Sequence, residues 1–158
     1  METWKEYGSY LISNHGNVKR CDRLLKLGKN KTGYLHFSPC YEGKAKTTMI
    51  HRVVAELFIP NPENKKEVDH IDGDKTNNKV ENLRWATRSQ NAINKKGNQS
   101  NNKSGYKGVY WSIKAQKWVA NIGLNGKNKY LGLFKTAEEA YEEYKKASHE
   151  LFGEFSSV

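Results

Sequence analysis

The chain has 158 residues, with 27 Lys and Arg against 17 Asp and Glu, for a formal charge of +10 at pH 7. No apolar run approaches the ~18 residues of a membrane span, and aromatics at 11% exclude a disordered polyelectrolyte. Only 36% of residues are hydrophobic and mean hydropathy is −0.90, which favours several small modules over one large core.

Cys21 and Cys40 allow at most one disulfide and form no CxxC pair for a zinc ribbon. The opening residues show no secretory leader, so a cytoplasmic protein is expected. The charge excess points to a polyanion, foremost nucleic acid. Its distribution sharpens this. Net charge is +5 over residues 1–48, +2 over 49–97 and +3 over 98–158. Basic flanks around a more acidic centre suit a chain that grips a backbone at both ends and holds a cation in the middle.

Residues 1–48 show no helical period. Tyr10-Leu11-Ile12-Ser13 leads into the turn cluster Asn14-His15-Gly16-Asn17 and then Val18-Lys19-Arg20. Leu24 to Leu27 and Tyr34 to Phe37 are separated by Gly28, Asn30 and Gly33, a hairpin pattern. The period then switches. Ile50, Val53, Val54, Leu57 and Phe58 fall on one helical face, ended by Pro60 and Pro62. Glu67 to Ile71 reads as a short strand, followed by the polar loop 72–78. Thr87 with Gln90 forms a capping box that starts another helix.

Residues 97–104 contain no apolar side chain, a linker composition. Three strands follow, over Tyr106–Trp111, Trp118–Leu124 and Lys129–Phe134. Asn125-Gly126 is a strong hairpin signal because both turn positions need positive φ. Thr136 and Glu139 cap a last helix whose inner stripe is Ala140, Tyr141, Tyr144, Ala147 and Leu151. Gly153 suits its end. Three antiparallel strands with one helix make a small α+β module.

Asp69, His70, Asn82 and Asn91 carry the chemical information. A carboxylate and an amide oxygen are hard donors that suit Mg²⁺, Mn²⁺ or Ca²⁺ rather than zinc. His70 alone among them titrates near neutral pH and can take a proton from water. Such a histidine needs a partner on its other ring nitrogen, and an Asn carbonyl can serve. The bland reading is a surface turn. An EF-hand fails, because the positions that require Gly and Glu hold Asn77 and Leu83. Asn77 and Asn78 read as turn formers.

Residues 49–94, through Val68-Asp69-His70-Ile71-Asp72-Gly73-Asp74 and Glu81-Asn82-Leu83-Arg84-Trp85 to Asn91, resemble the HNH homing endonucleases of phages and mobile introns. Asn91 stands where that family's last His would be. The resemblance implies a ββα-metal core in which His70 is the general base and Asn82 orients it. Asp69 and Asn91 then hold one divalent cation, Mg²⁺ or Mn²⁺. Trp4 and Tyr10 to Val18 resemble the small DNA-binding module found before such nucleases. Tyr106 to Tyr110, Tyr130 to Phe134 and Thr136 to Ala140 resemble the plant ethylene-response-factor DNA-binding domain, which lays its sheet in the major groove. Lys stands where that domain commonly has Arg, so backbone contact is expected more than base reading.

The expected architecture is therefore α+β. It comprises a β-rich DNA-binding module (1–48), an HNH core (49–96), a linker (97–104) and a three-stranded sheet packed on one helix (105–158). The expected function is metal-dependent cleavage of double-stranded DNA by a monomer with no membrane association. It nicks one strand and leaves a 5′-phosphate and a 3′-hydroxyl. Lys107, Tyr110, Lys114, Lys117, Trp118, Lys129, Arg84 and Arg88 are the expected DNA contacts. The competing reading is a non-catalytic DNA-binding regulator with a degenerate nuclease core.

Overall fold

A computed structural model describes residues 1–41, 43–95 and 102–156, and the chain divides into two compact units, Met1–Ala86 and Thr87–Val158. The first unit opens with an antiparallel meander of β1 (Trp4–Tyr7), β2 (Tyr10–Ser13), β3 (Val18–Arg20) and β4 (Arg23–Leu24). Next come β5 (Gly28–Lys29), β6 (Leu35–Phe37), the small hairpin of β7 (Cys40–Tyr41) and β8 (Lys44–Ala45), and β9 (Thr48–Met49). β6 is the middle strand of a sheet with β5 and β9. Helix α1 (Ile50–Phe58) forms where the apolar period predicts it, and the Ile59 N–H closes it on the Ala55 carbonyl at 2.9 Å. β10 (Glu67–His70) and β11 (Leu83–Ala86) pair as an antiparallel hairpin.

These pieces share one core. Tyr10, Ile12, Val18 and Phe37 from the opening strands pack in the same cluster as Ile50, Val53 and Val54 of α1 and Val68 and Leu83 of the hairpin. The boundary expected at 48/49 is therefore absent. The opening strands cover the segment 49–86, because a nine-residue helix and a two-stranded hairpin cannot bury their own apolar faces. The turn after β2 fits against the same segment. Ser13 Oγ accepts from the Asn17 N–H at 3.0 Å, and the Val80 N–H donates to the Asn14 carbonyl at 2.8 Å.

The second unit starts at α2 (Arg88–Asn94), capped by the reciprocal Thr87–Gln90 box. The Asn125 N–H donates to Ser89 Oγ at 3.0 Å, and Lys107 Nζ donates to the carbonyls of Ile93 and Lys95. The helix expected to close the module 49–96 thus belongs with the C-terminal module, against its last helix and hairpin turn. Of the expected linker, residues 97–101 lie outside the described residues. Residues 102–104 are folded onto the sheet's start: Ser104 Oγ donates to the Val109 carbonyl at 2.8 Å.

The sheet orders β12 (Val109–Ser112), β13 (Lys117–Leu124) and β14 (Lys127–Phe134) side by side, with a register shift at Ala120/Asn121. Asn125 and Gly126 take φ of +51° and +78°, as their turn requires. α3 (Ala137–Phe152) carries its expected capping box and buries Ala140, Tyr144 and Ala147. Among the described residues no helix is long and apolar enough to cross a membrane.

Gly16 sits at φ +81°, and a Cβ there would lie 2.7 Å from Asn78 Cβ and 3.2 Å from Ile50 Cγ2. Gly16→Ala combines left-handed strain with that overlap and should destabilise the chain by more than about 1 kcal/mol. Urea denaturation followed by circular dichroism measures it.

Candidate active site

The β10–β11 register sets Asp69 opposite Arg84 and His70 opposite Leu83. Asp69 and His70 are each only 4% exposed. A carboxylate this buried needs a partner, and Arg84 Nε donates to its Oδ2 at 2.9 Å. Arg84, expected on DNA, is thus engaged with Asp69, its own side chain 13% exposed.

The loop between the strands is held by its own polar side chains. Asn82 and Asp72 pair reciprocally. The Asp72 N–H donates to Asn82 Oδ1 at 3.1 Å, and Asn82 Nδ2 donates to Asp72 Oδ1 at 3.0 Å and to the Asn77 carbonyl at 2.8 Å. Asn77 Nδ2 reaches Asp72 Oδ2 at 2.7 Å. Asp74 Oδ1 accepts from Thr76 N–H and Oγ1 at 2.9 and 2.7 Å. Desolvation opposes ionisation of Asp72, but hydrogen bonds from Asn77, Asp74 and Asn82 outweigh it and hold the carboxyl below its usual range. Bonds from Thr76 do the same for Asp74.

The expected pairing of Asn82 with His70 is corrected. His70 Nε2 lies 3.1 Å from Asn78 Oδ1, and Asn78 Nδ2 donates to the Thr76 carbonyl at 3.2 Å. That second bond turns the amide so that its oxygen faces the ring. His70 Nε2–H therefore donates to that amide oxygen. Asn82 fixes the loop, while Asn78, expected to be a plain turn former, touches the imidazole.

Two further residues were missed by the sequence reading. His51 of α1 is 6% exposed, and its ring meets that of His70 at 5.2 Å and 61°. Tyr34 lies 4.8 Å from His51 and 5.9 Å from His70, between ring centroids. A signal for His51 existed: with Val54, Ala55 and Phe58 it forms an i, i+3, i+4, i+7 set. Burial, then the neighbouring His70 and Arg52, pushes the His51 pKa down to about 3. Tyr34 had no comparable signal in the sequence.

The DNA contacts expected in the second unit also sort out. Lys107 is bound to backbone carbonyls, and burial, then Lys95, lowers its pKa. Trp118 packs in the cluster with Val109, Ala120, Ala137 and Ala140, and its ring meets Trp111 at 5.3 Å. Both serve the module's own structure. Tyr110, Lys114, Lys117, Lys129 and Arg88 are exposed. Tyr110 pairs with Val119, and Val119 with Leu133, so these share the face opposite Val109 and Ala120.

The donor set bears on a metal. Asp69 offers a hard carboxylate with no thiolate near it in the hairpin. Among the described residues no three His, Cys, Asp or Glu side chains gather around a common point. A carboxylate suits a hard divalent cation. Asn91 stands on α2 in the second unit.

The hairpin thus ends in a buried Asp-His pair with an Asn-pinned loop behind it. Residues 48–93 match the HNH endonuclease family. The DNA endonuclease I-HmuI of Bacillus phage SP01 is 36% identical over 129 residues, covering 78% of this chain and 74% of that protein. An uncharacterised HNH endonuclease of Acanthamoeba polyphaga mimivirus is 45% identical over 102 residues, 57% of this chain but only 25% of that protein. The structure titled "DNA binding and cleavage by the HNH homing endonuclease I-HmuI" matches with a TM-score of 0.57 and 34% identity, over 89% of this chain and 82% of that one. The chain belongs to the HNH endonuclease family, and it spans about a quarter of the mimiviral relative's length.

The lowered His51 pKa carries a sign. The folded value, about 3, lies below the usual 6.5, so its contribution to stability is complete above pH 6.5 and is lost as pH falls toward 3. Urea midpoints measured across that window should fall less steeply for His51→Phe than for the natural chain. In the loop, Asn82→Ala removes the buried amide that ties Asp72 and Asn77 together and should cost about 1–3 kcal/mol. Hydrogen exchange at Ile71, Asp72 and Gly73 should quicken with it.

Proposed function

We propose that the chain is a metal-dependent DNA endonuclease that nicks one strand and leaves a 5′-phosphate and a 3′-hydroxyl. The observation that carries this is the buried Asp69–His70 pair, with the imidazole held by Asn78 on a loop that Asn82 and Asp72 lock. An imidazole fixed in one tautomer is prepared for general-base work. His70 Nδ1 takes the proton of the attacking water. Asn78 keeps Nε2–H in place while the ring becomes charged. Asp69 would hold the divalent cation, which supplies charge neutralisation at the phosphate and at the leaving 3′ oxygen. Asn91 enters as second oxygen ligand through the family resemblance alone. Arg84 keeps the Asp69 carboxylate oriented.

DNA binding is assigned to Arg88 and to the outer face of the C-terminal sheet, around Tyr110, with Lys114, Lys117 and Lys129 reaching phosphates. Its support is the net positive charge, the exposure of these side chains and the resemblance to sheet-reading domains. One Asp-His site per chain addresses one phosphate at a time, so a monomer is proposed to nick.

Supercoiled plasmid tests the chemistry. His70→Ala should lower the cleavage rate by about 10²–10⁴ with DNA binding retained. Excess chelator should abolish cleavage, and open-circular product should precede linear. Cleavage at full rate in chelator would leave the DNA-binding regulator as the better account. Salt titrations test the surface. Each of Lys114→Ala, Lys117→Ala and Lys129→Ala that removes a phosphate contact should flatten the log–log slope by about one unit. Lys107→Ala should leave that slope unchanged.

A further inference from the structure

We infer that Tyr34 and His51 are positioning residues that hold the His70 imidazole for proton transfer, an inference that rests on His70 being the general base. The Nε2–Asn78 hydrogen bond does not by itself orient a ring. It leaves rotation about the bond axis, and the outer torsion of histidine is intrinsically broad. Packing against other rings removes that freedom. His51 supplies an edge-on neighbour 5.2 Å away and Tyr34 a tilted one at 5.9 Å, and the two contact each other at 4.8 Å. The three rings come from α1, from the end of β10 and from the turn before β6. Their meeting is set by tertiary structure alone.

Two observations separate this cluster from ordinary core packing. His51 Nδ1 is buried without a hydrogen-bond partner among the described residues. A phenyl ring would fill the same space without that cost. Violations of this kind gather at functional sites. Tyr34, in turn, is tied to the active-site loop. Lys75 reaches from that loop to place Nζ 5.0 Å over the Tyr34 ring and donates to the Thr32 carbonyl at 2.9 Å. Asn30 Oδ1 shapes the turn beneath, accepting from the Thr32 and Tyr34 N–H groups at 3.0 and 2.9 Å. The loop that carries Asn78 thus also clamps a ring that packs near His70. The opening β-rich segment, which the sequence suggested was a DNA-binding module only, supplies part of the catalytic centre.

The test uses the full chain on supercoiled plasmid with Mg²⁺, resolving kcat, KM and thermal midpoint. Tyr34→Leu and His51→Leu should lower kcat by about 10–100-fold, the scale of a small misplacement of a catalytic group, with KM and midpoint near those of the natural chain. Tyr34→Phe, which keeps the ring, should recover most of the rate. Lys75→Ala, at an exposed position, tests the clamp without touching the core and should lower kcat with KM held. His70→Ala is the control. Leucine variants that cut at the natural rate while His70→Ala is dead would overturn the positioning role and leave the base assignment standing. A kcat loss that only tracks a fall in thermal midpoint, or a Lys75→Ala effect confined to KM, would overturn it as well. His70→Ala cutting at the natural rate would overturn the base assignment itself.

Discussion

A two-stranded hairpin cannot hold the Asp69–His70 pair in place by itself. β10 and β11 are four residues each, and hairpins of that size are marginal in water. What keeps Asp69 and His70 fixed is the apolar side of the same strands. Val68 and Leu83 are 6% and 4% exposed, packed with α1 and the opening strands. Burying side chains of that size is worth about 1.5–3 kcal/mol each. The geometry of that pair is thus a by-product of a core to which residues from Tyr10 to Leu83 contribute. Trp85 adds a polar tie, its Nε1 donating to the Ile59 carbonyl at 3.0 Å just beyond α1.

On that base the loop divides its labour among asparagines. Asn82 is spent on backbone and on Asp72, so that the loop returns to β11 in one shape. Asn78 is buried at 3% and turned by its bond to Thr76 so that its oxygen meets the imidazole. The turn at Gly16 backs Asn78 from behind, at a distance that leaves no room for a Cβ. Each residue is polar, yet each is held as firmly as a core side chain, because a buried amide left unpaired would be costly.

Local structure was legible in the sequence wherever a local rule governs it. The apolar period gave away α1, the capping boxes marked α2 and α3, and Asn125-Gly126 marked the hairpin turn. The Asp69-His70 pair stood out only through its resemblance to HNH nucleases, because an adjacent acid and imidazole alone more often mark a surface turn. Long-range packing was not legible. The opening strands looked separable, since nothing local says that Tyr10 and Phe37 share a core with Val68. Lys107 and Trp118 looked like DNA contacts because residue type alone cannot tell a lysine bound to carbonyls from a solvated one. Asn78 was hidden by its setting, one Asn among several in a turn-rich loop.

The central claim is that residues 1–86 are one unit and that the site depends on the opening strands. Removing residues 1–48 tests it most directly. Hydrogen exchange of the shortened chain, compared with the full one, reads the hairpin at Val68, His70 and Leu83. The account predicts that protection at these amides disappears and that plasmid nicking is lost with it. Native protection in β10 and β11, with nicking at the full rate, would contradict it.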